Sequence, residues 1–333
     1  MVLVTGGTGL VGSHLLAGLV RRGVEVRALK RPGSDIGLVD DIIAFYGIEK
    51  RSEIQWIDGD IEDYYSLKDA LKGVDKIYHA AAMVSMNARM QRKLREVNET
   101  GTINLINASI EQGVKKFGYV SSIATLGNSI NGYLVDESCF WQADEKHNEY
   151  AESKFRAEME VKRATMEGLK TVVVNPSFII GPGSTARSSG QIFQKVKTGL
   201  AFYTSGVTGY VHAGDVAEAL ITLMDSDIEN ERFILNSENR DLKSFFDNIA
   251  KDLNVKAPKF KAGKLLLDIA WRMEYVKFKL TGMESLLTKT SAQIAQSKYS
   301  YTSKKLVDAI GFKFKTLDEA ITDTVAFMKS YNH

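Results

Sequence analysis

Apolar and polar positions follow two rhythms along the first part of the chain. Short apolar runs at 2–5, 24–29, 54–58, 76–80, 117–121 and 171–175 have the length and content of buried strands. Between them, residues 11–22, 94–112 and 150–167 repeat their apolar positions every three or four residues, which predicts amphipathic helices. Strands separated by helices predict a parallel sheet, because a parallel neighbour needs a crossover connection. A further helical rhythm at Leu38, Val39, Ile42, Ile43 and Tyr46 predicts an inserted helix within 35–49, over the sheet edge. After Pro176 the pattern is less regular, with a strand expected at 233–236 and a helix at 242–253.

The first strand runs into Thr5-Gly6-Gly7-Thr8-Gly9-Leu10-Val11-Gly12, followed at once by an amphipathic helix. Glycines there let the chain turn tightly, bring its backbone against a pyrophosphate and pack the helix close to the sheet. The helix N-terminus adds unpaired N–H groups and a partial positive charge. Placed between strand and helix, the string predicts dinucleotide binding. The expected fold is α/β: a Rossmann-type doubly wound parallel sheet over 1–176 that carries the catalytic residues, with a smaller C-terminal α/β substrate lobe over 177–333. Some segments of that lobe are expected to return to the Rossmann core.

Read as TGxxGxxG through Thr5, Gly6, Gly9 and Gly12, the same string resembles the extended short-chain dehydrogenase/reductases, the NAD-dependent epimerase/dehydratase superfamily. Further strings agree in order: Asp60-Ile61, His79-Ala80-Ala81-Ala82, Asn98-Glu99-Thr100-Gly101-Thr102, Asn175-Pro176, Gly181-Pro182-Gly183 and Tyr210 to Ala217. The ending from Ser303 through Phe312 also resembles the family's C-terminal pattern. The resemblance is nearest to the dihydroflavonol-reductase and 3β-hydroxysteroid-dehydrogenase-like branch. It implies that Asp60 and Ile61 face the adenine, and that Ala80, Ala81 and Ala82 line the ribose and nicotinamide side. Pro176 and Ser177 are placed at the cofactor as well. Met83, Val84, Ser85, Thr125, Phe178, Arg187 and Gln191 fall where the family meets its substrate.

The family signature YxxxK is unspecific here, since Tyr46, Tyr64, Tyr150, Tyr275 and Tyr301 each have a lysine four residues later. Only Tyr150 follows the fifth strand and its Ser121-Ser122 pair while preceding the sixth strand. Residues four apart share a helix face, so Tyr150 and Lys154 can address one cofactor. A phenol near pKa 10 needs a shift of about three units to exchange protons near pH 7, and a neighbouring ammonium can supply it. The resemblance gives Lys154 the nicotinamide ribose hydroxyls and aligns Ser122, rather than Ser121, with the reacting oxygen. Asn98 resembles the family's structural or proton-relay asparagine, and bonding a backbone group is an equal reading for it.

The end of the second strand, Leu29-Lys30-Arg31-Pro32, carries cations where an acidic residue would bond the ribose hydroxyls of NAD. Lys30 and Arg31 therefore predict NADP(H) in preference to NAD(H). The expected activity is an NADP(H)-dependent oxidoreductase that interconverts a ketone or aldehyde and an alcohol, with Tyr150 as general acid/base. A nucleotide-sugar epimerase or dehydratase with tightly held NAD(P) is the alternative, and Met83, Met86 and Met90 favour an apolar ligand.

Composition narrows the remaining classes. A net charge of +2, 44% hydrophobic and 25% charged residues describe an ordinary globular chain without the field expected of a nucleic-acid binder. The apolar stretches are interrupted by Gly, Asn, Ser or Pro, so no transmembrane span is expected. Single Cys139 cannot form an internal disulfide, and the first strand begins at residue 2, which together predict the cytoplasm. The histidines lack metal-ligand spacing, so no metal is expected; GxSxG and P-loop strings are also missing. From Lys251 onward, 15 Lys and Arg face 8 Asp and Glu, and 264–287 mixes Leu265, Leu266, Ile269, Trp271, Tyr275, Phe278 and Leu286 with lysines. That basic amphipathic stretch suits packing on its own lobe or a partner better than a membrane surface. A small-molecule carbonyl or alcohol is the expected partner, with a homodimer implied by the resemblance.

Overall fold

The computed structural model describes residues 1–85, 88–129, 134–142, 147–187, 189–281 and 295–331, with the backbone alone at 88 and 275–281. Its first half alternates β1 (Val2–Thr5), α1 (Leu10–Arg21), β2 (Val26–Lys30), α2 (Gly37–Phe45), β3 (Ile54–Asp58), α3 (Tyr64–Ala70) and β4 (Lys76–His79). There follow α4 (Gln91–Leu94), a π-helical turn Arg95–Thr100, α5 (Gly101–Glu111), β5 (Lys116–Val120), α6 (Glu149–Met166) and β6 (Lys170–Pro176). The later elements are β7 (Phe178–Ile180), α7 (Gly190–Gly199), β8 (Phe202–Tyr203), β9 (Val207–His212), α8 (Ala213–Asp225), β10 (Glu231–Leu235) and β11 (Glu238–Asp241). The chain ends with α9 (Leu242–Leu253), β12 (Phe260–Lys261), α10 (Lys264–Thr281), α11 (Lys304–Ile310) and α12 (Leu317–Ser330).

Seven parallel strands form one sheet in the order β10-β6-β5-β4-β1-β2-β3. Alternate side chains of each strand enter opposite cores. Val2 and Val4 of β1 join Val26 and Ala28, the inner faces of α1, α2 and α8, and Val172 and Val174 of β6. Leu3 joins Leu29, Ile77, Phe117 and Tyr119 with α3, α5 and α6 on the other face. The sheet is therefore doubly wound. Its strand order reverses between β1 and β4, and such a switch point opens a crevice at the carboxyl ends of the strands. The glycine string leaves β1 at that end.

Every strand anticipated in the first half lies within two residues of an observed one, and the helix expected in 35–49 is α2, with Leu38, Val39, Ile42 and Ile43 buried. The expected single helix over 94–112 differs: it is broken into α4, the π turn and α5. The π turn carries Asn98, whose buried side chain is held from outside the helix. Single π turns of this kind inside α-helices are rare and are frequent at functional sites.

The strand anticipated at 233–236 is β10, which pairs with β6 at the edge of the large sheet. A separate sheet of β7, β9 and β11 is covered by α7, α9 and α12 around Phe193, Tyr210, Phe245, Ile249 and Ile321. Helix α12 spans both units, with Phe327 in the sheet core and Leu317, Ile321 and Val325 in the smaller one. In α10, Leu267 and Trp271 pack with Ala262, while Leu265, Leu266, Ile269 and Met273 are exposed. Leu286 and Met86 lie outside the described residues. No helix of the described residues is long and apolar enough to cross a membrane.

Candidate functional site

Thr5 ends β1 fully buried, its hydroxyl 2.7 Å from Nδ1 of His79 at the end of β4. Ala80 N–H donates to the Thr5 carbonyl at 3.2 Å, so the two strand ends that bound the crevice are stitched together. Gly6 then turns at φ 72°, and a Cβ there would lie 2.5 Å from the Ala81 nitrogen. At Gly12 a Cβ would stand 2.0 Å from the Gly6 carbonyl oxygen. Neither position accepts a side chain without moving backbone. Gly9 caps α1 without a side-chain bond, and no acidic residue occupies the first turn. The N–H groups of that turn are left to an anion, with Thr8 half-buried beside them and Val11 anchored in the core. Leu10 packs close to Gly183, where a Cβ would sit 2.6 Å from the leucine Cδ1. These residues fit the diphosphate of a dinucleotide, which needs backbone donors at close approach.

At the end of β2, Lys30 pairs in register with Asp58 of β3, and its ammonium is ion-paired to that carboxylate. Lys30 is thus not the free cation read from the sequence, whereas Arg31 is exposed. The strand string gave no sign of Asp58, since the partner of Lys30 depends on the β2–β3 register. Asp60 accepts a bond from Glu62 N–H at 3.0 Å, Ile61 is buried against Gly101, Ala80 and Ala81 are half-buried, and Ala82 is exposed.

Asn148 caps α6 by accepting from Ala151 N–H at 2.8 Å, and Glu149 and Glu152 in the first turn complement the helix dipole. This placement brings Tyr150 within the influence of Ser122, which favours the charged form of the phenol. The Ser122 oxygen also accepts from Ala124 N–H at 3.1 Å, capping the short turn Ile123–Thr125. One turn along α6, Lys154 is 1% exposed; its Nζ donates to the Val120 carbonyl at 2.8 Å and lies 4.2 Å from the Tyr119 ring centroid. Burial lowers the Lys154 ammonium to about 7, opposed by the negative charge of Glu158. Burial raises the Tyr150 phenol above its ordinary value, and Ser122 opposes that rise. The phenol is therefore not lowered in this arrangement. Burial outweighs Ser122, and the lysine is turned toward the end of β5.

Residues 2–235 match the NAD dependent epimerase/dehydratase family. The chain belongs to that family. It is similar to cinnamoyl-CoA reductase 1 of Petunia hybrida, 30% identical over 70% of this chain and 72% of that one. It is also similar to 3beta-hydroxysteroid-dehydrogenase/decarboxylase isoform 1 of Arabidopsis thaliana, 27% identical over 99% of this chain and 79% of that one. Among solved structures, that of gox2253 matches with a TM-score of 0.82 at 30% identity, covering 99% of this chain and 98% of that one. The likeness to extended short-chain dehydrogenase/reductases and the doubly wound fold are both borne out. The family contains NAD(P)-dependent oxidoreductases, epimerases and dehydratases.

Other site residues of this family member sort by what they touch. Asn98 accepts from Met83 N–H at 2.7 Å, donates to the Met83 carbonyl at 2.9 Å and to Ser153 Oγ at 3.0 Å. Ser153 in turn donates to the Tyr150 carbonyl at 2.8 Å, so Asn98 links the segment after β4 to the first turn of α6. His79, between Thr5 and Thr102, is lowered to about 3 by burial and is neutral. Ser121 is buried and donates to Glu158 at 2.6 Å, away from the Tyr150 side on which Ser122 lies.

The residues expected at the substrate scatter more. Val84 is exposed and Ser85 half-buried. Thr125 is 1% exposed, its hydroxyl 2.8 Å from Glu158 and 2.9 Å from the Ser122 carbonyl, which places it behind the site. Phe178 stands edge-on to Tyr210 and Phe245 in the smaller core. Gln191 donates to the Ala186 carbonyl at 2.8 Å, and Arg187 is exposed. Pro176 and Ser177 are buried at the end of β6, and the Ser177 hydroxyl has no hydrogen-bond partner among the described residues. Sequence reading missed Glu158, although its spacing of four from Lys154 signalled a shared helix face.

Proposed function

We propose that this family member is an NADP(H)-dependent oxidoreductase that interconverts a ketone or aldehyde and an alcohol. The observation that supports it most directly is buried Lys154, its Nζ on the Val120 carbonyl at the end of β5, one helical turn from Tyr150, whose phenol is under the influence of Ser122. The dinucleotide would rest on the backbone of Gly6, Gly9 and Gly12 with Thr8, Leu10 and Val11 around it. Asp60 and Ile61 would lie at its adenine, Ala80, Ala81 and Ala82 along its ribose, Pro176 and Ser177 at its nicotinamide, and Arg31 at its 2′-phosphate. When bound, it would supply or accept the hydride.

Tyr150 holds the proton that goes to the carbonyl oxygen in reduction and returns in oxidation. Ser122 donates to the same oxygen as negative charge develops on it. Lys154, held near the end of β5, stabilises the phenolate by its charge and reaches the ribose hydroxyls. The relatives named reductase and dehydrogenase support the oxidoreductase reading, as does exposed Arg31 after β2. A nucleotide-sugar epimerase or dehydratase would use the same three residues, and exposed Arg187 past Gly183 suits a sugar diphosphate.

The deciding experiment incubates the protein with carbonyl compounds and nucleotide sugars, following NADPH absorbance and products together. One NADPH consumed per alcohol formed supports the oxidoreductase. Sugar isomers formed with no net change in cofactor overturn it.

A further inference from the structure

The carboxylate of Glu158 is buried, 4% exposed, four residues after Lys154 on α6. An ionised carboxyl only accepts hydrogen bonds and is costly to bury unless every oxygen is satisfied. Its donors come from two strands, the residue after β5 and a turn. Oε2 accepts from Ser121 Oγ at 2.6 Å, Thr125 Oγ1 at 2.8 Å and Asn175 Nδ2 at 2.9 Å, while Oε1 pairs with the Arg232 guanidinium at 3.2 Å. The same two side chains flank the peptide of Ser122, Thr125 Oγ1 2.9 Å and Asn175 Nδ2 3.2 Å from its carbonyl oxygen, so the one hydroxyl proton of Thr125 and the two amide protons of Asn175 are shared between that oxygen and Glu158. Asn175 Nδ2 also lies 3.0 Å from Thr125 Oγ1, closing the cluster.

We infer that Glu158 is a positioning residue of the proposed site, its carboxylate fixing the peptide that carries Ser122 and supplying the negative charge that faces Lys154. This rests on the proposed roles of Ser122 and Lys154. The groups around Glu158 set the balance. Lys154 lies on its own helix, Tyr119 and Ser121 on and just after β5, Asn175 on β6 and Arg232 on β10. Arg232 also donates to the Glu137 carbonyl, and the Glu137 side chain accepts from Ile234 N–H at 2.7 Å. Arg232 therefore competes with Lys154 for the charge of Glu158. A purely structural Glu158–Arg232 pair would leave the protonation of Lys154 unaffected by either partner.

The test is an NMR titration of the full-length protein with ¹³C-labelled lysine, the Lys154 signal being assigned by its loss in Lys154→Arg. It requires no substrate, so its result stands whether or not a carbonyl compound is turned over. Glu158→Gln, confirmed folded by circular dichroism, is expected to move the Lys154 midpoint down by about 1 unit or more, the effect of removing an opposite charge. Arg232→Met is expected to move it up, because Lys154 becomes the main cation facing Glu158. Should Glu158→Gln fail to fold, the upward shift in Arg232→Met carries the test alone. An unchanged midpoint in folded Glu158→Gln, or an unchanged or lower one in Arg232→Met, overturns the inference. With an established substrate, the pH profile of kcat should move in Glu158→Gln in the same direction as the Lys154 midpoint.

Discussion

Lys154 donates a 2.8 Å hydrogen bond from its buried ammonium to the main-chain carbonyl of Val120. This bond ties α6 to the end of β5, and burial lowers the ammonium from its ordinary 10.5 to about 7. Between those values the unfolded chain binds more protons than the folded one, so this lysine makes stability rise with pH across that window. Below pH 7 its burial penalty is present in full. Lys154→Met should therefore stabilise the cofactor-free protein at pH 7 by on the order of 2–3 kcal/mol, after allowing for the lost bond to Val120. The gain should shrink as pH rises toward 10. Urea unfolding of both proteins at several pH values measures this, and a difference that does not vary with pH refutes it.

Removing the Tyr150 hydroxyl tests the proton transfer. Tyr150→Phe keeps the ring and deletes the transferable proton, so turnover of an established substrate should fall by about 10²–10⁴-fold. Cofactor affinity should change little. Near-normal turnover would remove Tyr150 from the mechanism.

The Lys30–Asp58 pair changes which cation should matter for cofactor choice. Arg31→Asn should weaken NADPH by about tenfold, or 1.4 kcal/mol, with little effect on NADH. Lys30→Met should do less, because its charge is already matched by Asp58. Asp58→Asn frees Lys30 and should tighten NADPH. Calorimetric titration of both cofactors into the three variants decides among these, and tighter binding of NADH than NADPH by the wild type would sink the preference.

Gly12→Ala places a methyl group 2.0 Å from the Gly6 carbonyl oxygen, so backbone must move. Stability should drop by about 1–3 kcal/mol, and dinucleotide binding should be lost or weakened at least tenfold. Thermal unfolding and fluorescence titration read the two effects. Binding as tight as the wild type would mean that the loop does not approach the phosphates closely.

Local order was legible in the residues themselves. Strand length, helical spacing and the glycine string depend on neighbours within a few positions, so the strands of the first half, helices α1, α2 and α6 and the turn at Gly6 follow from the chain alone. The proposal for Tyr150, Lys154 and Ser122 also came from the string, because their order relative to the strands singled out one YxxxK among five. What crosses between elements was not. The pairing of Lys30 with Asp58 needed the β2–β3 register, and the π turn at Asn98 needed Met83 and Ser153 as outside partners. Glu158 reaches Ser121, Thr125, Asn175 and Arg232, up to 74 positions away. Such partners are chosen by which strands lie side by side. Burial, which lowers Lys154 and raises Tyr150, likewise exists only once the sheet and α6 have closed over them. The sequence determined which residues the proposed chemistry rests on; the tertiary structure decided their charge, because desolvation and opposing charges are properties of packed elements and not of the string.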